Sequence, residues 1–321
     1  MRISNNMIFE RTLRDINQNR TNLANVQRDI STGKRLHRGS DDPRASALVQ
    51  ASTRELSEVG VYLENIEAGR TFLRDTDAAL GNYQEILLAV QDRVVQASSG
   101  ALTQDTRKQL ASELSQLRES IRQVANTRDA QGRYLFNGLR TSGEPPYPAG
   151  DLTLGSQENS SILLEMGRGQ KIPLNVVGNE LFGVVSPPSS GPTSPPPPRT
   201  DIFDAIDGFV KFLQDGKSDA LPPGSTSLTM TVPQLAVKAV KDALARSISS
   251  RGSVSSRLER LDEMTSRLSD RKQTLEARID DLQATDITAA SVKFNQYDVA
   301  LRTALSLSGR TLPTSLVDFL R

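Results

Sequence analysis

The chain runs to 321 residues, with 39 Lys and Arg against 38 Asp and Glu, for a formal net charge of +1. Charge this balanced and this mixed excludes the basic footprint of a nucleic-acid binder, and the absence of cysteine excludes disulfides, thiolate catalysis and cysteine-ligated metal. Hydrophobic residues make up 36% and aromatic residues 4%, with no Trp; that is thin for one large globular core and suits helices that bury narrow apolar stripes.

The opening Met1-Arg2-Ile3-Ser4-Asn5-Asn6-Met7 holds no apolar run, so no Sec-type signal peptide is expected. No stretch approaches about 18 apolar residues, so no transmembrane helix is expected either. From about Ser4 to Ile30, Phe9, Ile16, Leu23 and Ile30 recur at a spacing of seven, and Leu13 and Val26 widen the stripe. Two readings fit this pattern: an ordinary amphipathic helix packed on its own domain, or a terminal helix that needs a partner. Ser31-Thr32-Gly33-Lys34-Arg35 ends it, with Gly33 suited to a left-handed terminal residue and two cations suited to the negative helix end.

A polar loop from Leu36 to Asp42 follows, and Asp42-Pro43 reads as an N-cap followed by proline at the first helical position. Val59, Ile66, Leu73, Leu80, Leu87 and Val94 then recur at seven, with Leu56 and Leu63 in the alternate seam. The pattern predicts one helix from Pro43 to about Ser99, on the order of 85 Å long. Gly60, Gly69 and Gly81 oppose it by about 1 kcal/mol each. Burying each large seam residue returns roughly 1.5–3 kcal/mol, so the helix requires lateral partners.

Thr103 is a candidate N-cap for a further helix carrying Leu110, Leu114, Leu117, Ile121 and Val124, running back antiparallel to the long one after a short loop. That helix fades near Asp129, and Arg133-Tyr134-Leu135-Phe136-Asn137-Gly138 closes the segment as a turn or short strand. From Thr141 to Arg199 helical periodicity gives way to Gly, Pro and Ser. Asp151–Leu154, Ile162–Met166 and Ile172–Val177 read as short strands of a small β-rich insert. The Pro-rich run from Ser186 to Pro198 reads as a stiff spacer in preference to a ligand for a proline-binding module of SH3 or WW type.

Helical pattern resumes at Asp201, with Ile206, Phe209, Val210 and Leu213 along one side, breaks at Pro222-Pro223-Gly224, and returns at Val232. Val254, Leu261, Leu268, Leu275 and Leu282 repeat at seven, with Leu258 and Ile279 in the alternate seam. Thr285 or Asp286 caps a last helix bearing Ile287, Ala290, Phe294, Tyr297, Leu301 and Ala304, and the apolar end at Leu316, Phe319 and Leu320 is of a kind that is usually covered.

Candidate chemistry is sparse. Ser31-Thr32-Gly33-Lys34 fits a Ser-x-x-Lys pattern, but the partner motifs of that enzyme class are missing. It lacks the upstream glycine and the following Ser or Thr of a phosphate loop. His37, the single histidine, excludes a histidine pair on metal and reads as solvated. Asp41 and Asp42 could touch a cation, although a helix N-terminus already accounts for acidic residues there. Asn19 and Asn159 begin glycosylation sequons that carry no weight without a secretory signal. No nucleophile–base pair, glycine cradle or carboxylate dyad stands out, so neither catalysis nor a cofactor is expected.

The ends and loops together resemble the flagellin family of bacterial flagellar axial proteins. The resemblance rests on Met1–Met7, on Ile30-Ser31-Thr32-Gly33-Lys34-Arg35 followed by Ser40-Asp41-Asp42-Pro43, and most specifically on Ala125 through Gly138. Pro43-Arg44-Ala45 and the Gly132-Arg133-Tyr134-Leu135-Phe136 run depart from the usual filament pattern and are similar to the hook–filament junction branch. The C-terminal Ser315–Leu320 resembles the ending of that branch, with an added Arg321 and with Pro313.

The resemblance implies a mainly α fold, a long antiparallel helical bundle or coiled-coil rod formed by the N- and C-terminal parts, with a small β-rich inserted domain. Expected domains are 1–42 pairing with 286–321, 43–140 with 201–285, and the insert 141–199. It implies a structural adaptor at the hook–filament junction, exported through the flagellar type III apparatus to the cell exterior. Expected partners are the chain itself, another hook-associated protein, flagellin, and an export chaperone near the C-terminal helices, with no nucleic acid and no membrane insertion. Expected assembly residues are Ile3, Met7, Phe9, Ile16, Leu23, Ile30, Ile287, Phe294, Tyr297, Leu301, Leu305, Leu316, Phe319 and Leu320. The alternatives are a minor flagellin and a non-flagellar coiled-coil signalling or effector protein.

Overall fold

The structure, a computed structural model, describes residues 2–98, 102–139, 143, 145–148, 161–183, 201–215 and 231–319; along the terminal helices, side chains are described for Met7 and for residues 10–308. The elements are α1 (Arg2–Thr32), α2 (Pro43–Ser98), α3 (Gln104–Ala125), β1 (Leu163–Gly167), β2 (Gln170–Pro173), a π-helical turn (Asn179–Gly183), α4 (Ile202–Asp215), α5 (Val232–Gln283) and α6 (Ile287–Phe319). Among the described residues the fold is mainly α with one two-stranded sheet, in keeping with the mainly α fold and small β part that the sequence predicts. The Pro-rich run and the strand expected at Asp151–Leu154 lie outside the described residues. The chain divides into two compact units, Met1–Val59 with Asp270–Arg321, and Gly60–Ser269; the divisions fall inside α2 and α5.

Unit Gly60–Ser269 holds the large core. Ile66, Leu73, Leu80, Leu87 and Val94 of α2 are all essentially inaccessible, as are Leu110, Leu114 and Ile121 of α3 and Val254 and Leu261 of α5. The heptad repeat thus maps directly onto the packed seam. Within this unit α2 and α5 are antiparallel, because Arg70 reaches Asp262 at 2.7 Å while Asp77, farther along α2, reaches Arg251, farther back on α5, at 2.8 Å. Thr103 caps α3, its hydroxyl accepting from the Thr106 N–H at 3.3 Å. Arg93 of α2 pairs with Glu113 of α3, and Arg118 of α3 pairs with Asp207 of α4.

The β-hairpin pairs Leu163 with Pro173, Leu164 with Ile172 and Glu165 with Lys171, and a bulge after Glu165 leads into a turn at Gly169, whose φ of +73° suits glycine. Met166 and Ile172 are buried in the helical core rather than in a core of their own. The hairpin explains one awkward glycine: a Cβ at Gly69 would lie 2.6 Å from Leu164 Cδ2 and 3.1 Å from Leu174 Cδ2. Gly81 has only the Arg251 guanidinium nearby, at 3.9 Å, and Gly60 has nothing within 4 Å. Gly60→Ala is therefore expected to stabilise the chain by about 0.5–1 kcal/mol, the ordinary helix-propensity difference. Denaturant titration checks this, and a loss of stability would show that α2 needs the bare backbone there.

Beyond α3 the chain makes a tight polar loop. Buried Asp129 accepts from the Gln131 N–H at 3.0 Å and the Arg133 N–H at 2.8 Å, and pairs with Arg133 Nε at 2.7 Å; Gly132 turns the chain with φ +78°. A single antiparallel bridge joins Arg128 to Tyr134, and the Arg128 guanidinium lies 4.2 Å over the Tyr134 ring. The loop delivers Phe136 into an aromatic cluster. Phe182 makes edge contacts with Tyr83, Phe136 and Tyr147, with ring centroids 4.9, 5.5 and 5.3 Å apart, and Phe203 lies against Tyr147 at 5.7 Å.

Asp201 opens α4 beside this cluster, its carboxylate accepting from the Phe203 N–H at 2.9 Å. Burial raises its pKa to about 8, against the opposing pull of that N–H and of Arg118 and Arg246. The folded chain therefore keeps a proton that the unfolded chain releases near pH 4, and stability falls as pH rises from about 4 to about 8. Asp201→Asn keeps the cap and removes the titration. The variant is expected to gain at least about 1 kcal/mol on the parent between pH 4 and pH 8, or about 2–4 °C in Tm. Thermal melts across that range check it; parallel curves would place the Asp201 carboxyl in its ordinary range.

Candidate assembly surface on the terminal helices

The unit Met1–Val59 with Asp270–Arg321 is built differently. α1 packs along α6. On α1 Ile16, Leu23, Val26 and Ile30 are half-buried, and on α6 Phe294, Tyr297, Leu301 and Ala304 are half-buried, with Ala290 alone fully buried among the described side chains of the two helices. The predicted stripes thus fall on two helices that pack together. Two helices alone cannot enclose a stripe.

Several large apolar side chains stay in solvent: Met7 is 65% exposed, Ile287 59%, Val299 63% and Leu305 54%, and Leu13, Val292 and Leu307 are also exposed. At 3.6 residues per turn, Val292 and Val299 fall opposite the face that carries Ala290, Phe294, Tyr297 and Leu301. Reading the chain for a single stripe misses this second face; the available signal is the spacing of seven between Val292 and Val299. The side chains of Ile3, Phe9, Leu316 and Phe319, and all of Leu320, lie outside the described set.

The turns that start and end these helices are joined. Gly33, with φ +67°, ends α1, and its carbonyl accepts from the Thr285 N–H at 2.9 Å. The Arg35 N–H donates to the Gln283 carbonyl at 2.7 Å, and the Arg35 guanidinium donates to the Leu282 carbonyl at 3.3 Å and lies 3.5 Å from Asp42. Asp42 caps α2 through the Ala45 N–H at 3.0 Å, and Asp286 caps α6 through the Thr288 and Ala289 N–H groups at 2.9 and 3.0 Å.

Asp41, weighed as a cation ligand, instead accepts from the Arg38 and His37 N–H groups at 2.8 and 3.0 Å, and these donors hold its carboxyl below the usual range. The Ala45 N–H does the same for Asp42. His37, expected in solvent, lies with Nε2 2.8 Å from Asp29 Oδ1, and only 18% of its side chain is exposed. Glu55 of α2 pairs with Arg271 of α5 at 2.6 Å in the same unit.

Among the described residues no group of three or more His, Asp or Glu is placed to hold a metal ion, and no helix is long and apolar enough to cross a membrane. What this unit presents is apolar helix surface.

Residues 3–141 match the bacterial flagellin N-terminal helical region. The chain is 24% identical over 306 residues to flagellar hook-associated protein 3 of Escherichia coli K12, covering 94% of each chain. Two solved structures share the fold. A flagellar hook-associated protein from Vibrio parahaemolyticus gives a TM-score of 0.63 at 21% identity, over 76% of this chain and 100% of that one. The flagellar junction protein FlgL from Legionella pneumophila gives 0.54 at 14% identity, over 74% of this chain and 100% of that one. Over residues 3–141 the chain is thus similar to the N-terminal helical region of bacterial flagellins, and along nearly its full length to a flagellar hook-associated protein.

Proposed function

We propose that this chain is a structural axial subunit of the bacterial flagellum that joins hook to filament. The observation that carries the reading is the terminal pair α1–α6, apolar on more faces than it can bury itself, in a chain similar along nearly its full length to a hook-associated protein 3. Apolar helix faces of this kind are covered by neighbouring subunits when an assembly forms. The proposed assembly residues are Ile3, Met7, Phe9, Ile16, Leu23 and Ile30 on α1, and Ile287, Phe294, Tyr297, Leu301, Leu305, Leu316, Phe319 and Leu320 at the C-terminal end.

The proposal includes the domain division 1–42 with 286–321, 43–140 with 201–285, and an insert at 141–199. It includes export to the cell exterior, contacts with another hook-associated protein and flagellin, and a chaperone that shields the C-terminal helices before export. The role is mechanical, with no catalysis. Deleting the encoding gene tests it: hooks without filaments, and flagellin shed into the medium, are the expected result, and attached filaments would overturn it.

A minor flagellin is the second reading, favoured by the match of residues 3–141 to the flagellin helical region itself. Purified chain that grows long filaments alone would establish that reading against the junction role.

A further inference from the structure

Polar side chains sit at core positions where α2 meets α5 in the unit Gly60–Ser269. Counting back by seven along α5 from Leu268, Leu261 and Val254 reaches Ser247, and the alternate seam of α2 runs Thr76, Tyr83, Val90. Ser247, Thr76, Tyr83 and Val90 are all inaccessible. The antiparallel packing brings Ser247 to the level of Tyr83, because Arg251, one turn beyond Ser247, lies against Gly81 and bonds to Asp77 and Gln84. Thr76 settles its own hydroxyl on the Phe72 carbonyl at 2.8 Å. Ser247 and Tyr83 do not. Neither hydroxyl finds a hydrogen-bond partner among the described residues, and nor does Nη2 of Arg246, whose Nε donates to the Leu181 carbonyl at 3.2 Å. That carbonyl adjoins Phe182, whose ring centroid lies 4.9 Å from that of Tyr83, so Arg246 reaches the same corner of the core. The Arg246 guanidinium and the Asp201 carboxyl both act on the Tyr83 hydroxyl there.

We propose that Tyr83, Ser247 and Arg246 form a binding site for an ordered internal water. Buried polar groups are nearly always satisfied, and three unpaired atoms in one corner of a core call for a shared partner. Water matches their chemistry. Arg246 Nη2 can only donate, whereas each hydroxyl can donate or accept. One water accepts from the guanidinium and exchanges hydrogen bonds with the two hydroxyls, which gives it the roughly three bonds usual for an internal water. The room for it comes from the sequence of α5. Ser247 stands where the repeat elsewhere places Leu or Val, and Ala243, one turn earlier, is also fully buried. Held by a side chain of α2 and two of α5, the water ties the two helices together at one level of their seam.

The test joins a crystal structure of the full chain, at a resolution that shows ordered water, to denaturant titration of two variants. A water peak is expected within hydrogen-bond distance of Tyr83 Oη and of Ser247 Oγ or Arg246 Nη2. Tyr83→Phe is expected to lower the folding equilibrium constant of the unit Gly60–Ser269 by about three- to tenfold, the usual worth of one hydrogen bond. Ser247→Ala is expected to lower it as well, although alanine is the better helix former. The double variant is expected to lose less than the product of the two, because both hydroxyls hold the same molecule. A corner without a water peak overturns the proposal. So does either single variant that is at least as stable as the parent, since a hydroxyl that bonds to nothing costs nothing to remove. A double variant whose loss equals the product overturns it too, by showing that the two hydroxyls are bonded separately.

Discussion

Gly178→Ala is expected to destabilise the unit Gly60–Ser269 by about 2–4 kcal/mol, lowering its Tm by about 5–15 °C. A Cβ at this position would lie 2.6 Å from the Phe136 carbonyl oxygen and 2.8 Å from the Tyr147 hydroxyl. The Gly178 backbone is one any residue can adopt, so the requirement is for space alone. Neither neighbour can easily give way. The Phe136 carbonyl accepts the Gly178 N–H at 3.1 Å, its ring is buried against Phe182, and Gly138 two residues on holds a φ of +57°. Tyr147 is fixed at its backbone, where Asn126 receives its N–H at 3.0 Å and donates to its carbonyl at 2.7 Å. The added methyl therefore breaks a buried hydrogen bond, worth about 1 kcal/mol, as well as overpacking the cluster. Gly60→Ala is the matched control, with an expected change of opposite sign. Melting within about 1 °C of the parent would mean that the loop recedes at little cost.

The contrast between Gly60, Gly69 and Gly178 marks the limit of sequence reading. A run of residues at seven is a property of one segment, and the buried seam of α2 from Val59 to Val94 follows from it position by position. Caps are equally local: Asp42, Thr103 and Asp286 each accept N–H groups from the next turn of their own helix. Which glycine is bare for a reason depends on what arrives from elsewhere. Leu164 reaches Gly69 from nearly a hundred residues away, and Phe136 reaches Gly178 across a segment with no periodicity to fix its path. The same holds for Asp201, whose raised carboxyl comes first from burial, which no local pattern in the sequence announces. The proposed assembly stripe is half legible. Its packed face carries the heptad signal, whereas the face bearing Val292 and Val299 announces itself only once the packed face is known.

Replacing Phe294 and Leu301 together by Asp is expected to abolish filament attachment while leaving the unit Gly60–Ser269 folded. Both side chains are half-buried on the α6 face that meets α1. Each substitution removes roughly 1 kcal/mol or more of apolar burial and sets a carboxylate in a seam that offers it little water. The pair has almost no reserve, since Ala290 is the single fully buried side chain described on the two helices. The core of Gly60–Ser269 contains neither residue, so its melting transition should be unchanged. Val292→Asp with Val299→Asp separates folding from assembly. Those side chains are already in solvent, so the isolated chain should keep the α1–α6 pair and its helical signal. If neighbouring subunits cover that face, this second variant also loses attachment, now without any loss of monomer structure. Normal swimming and filament length in both variants would remove the terminal helices from the assembly. Loss confined to the first would show that attachment needs the intact α1–α6 pair and leave the outer face in solvent within the flagellum.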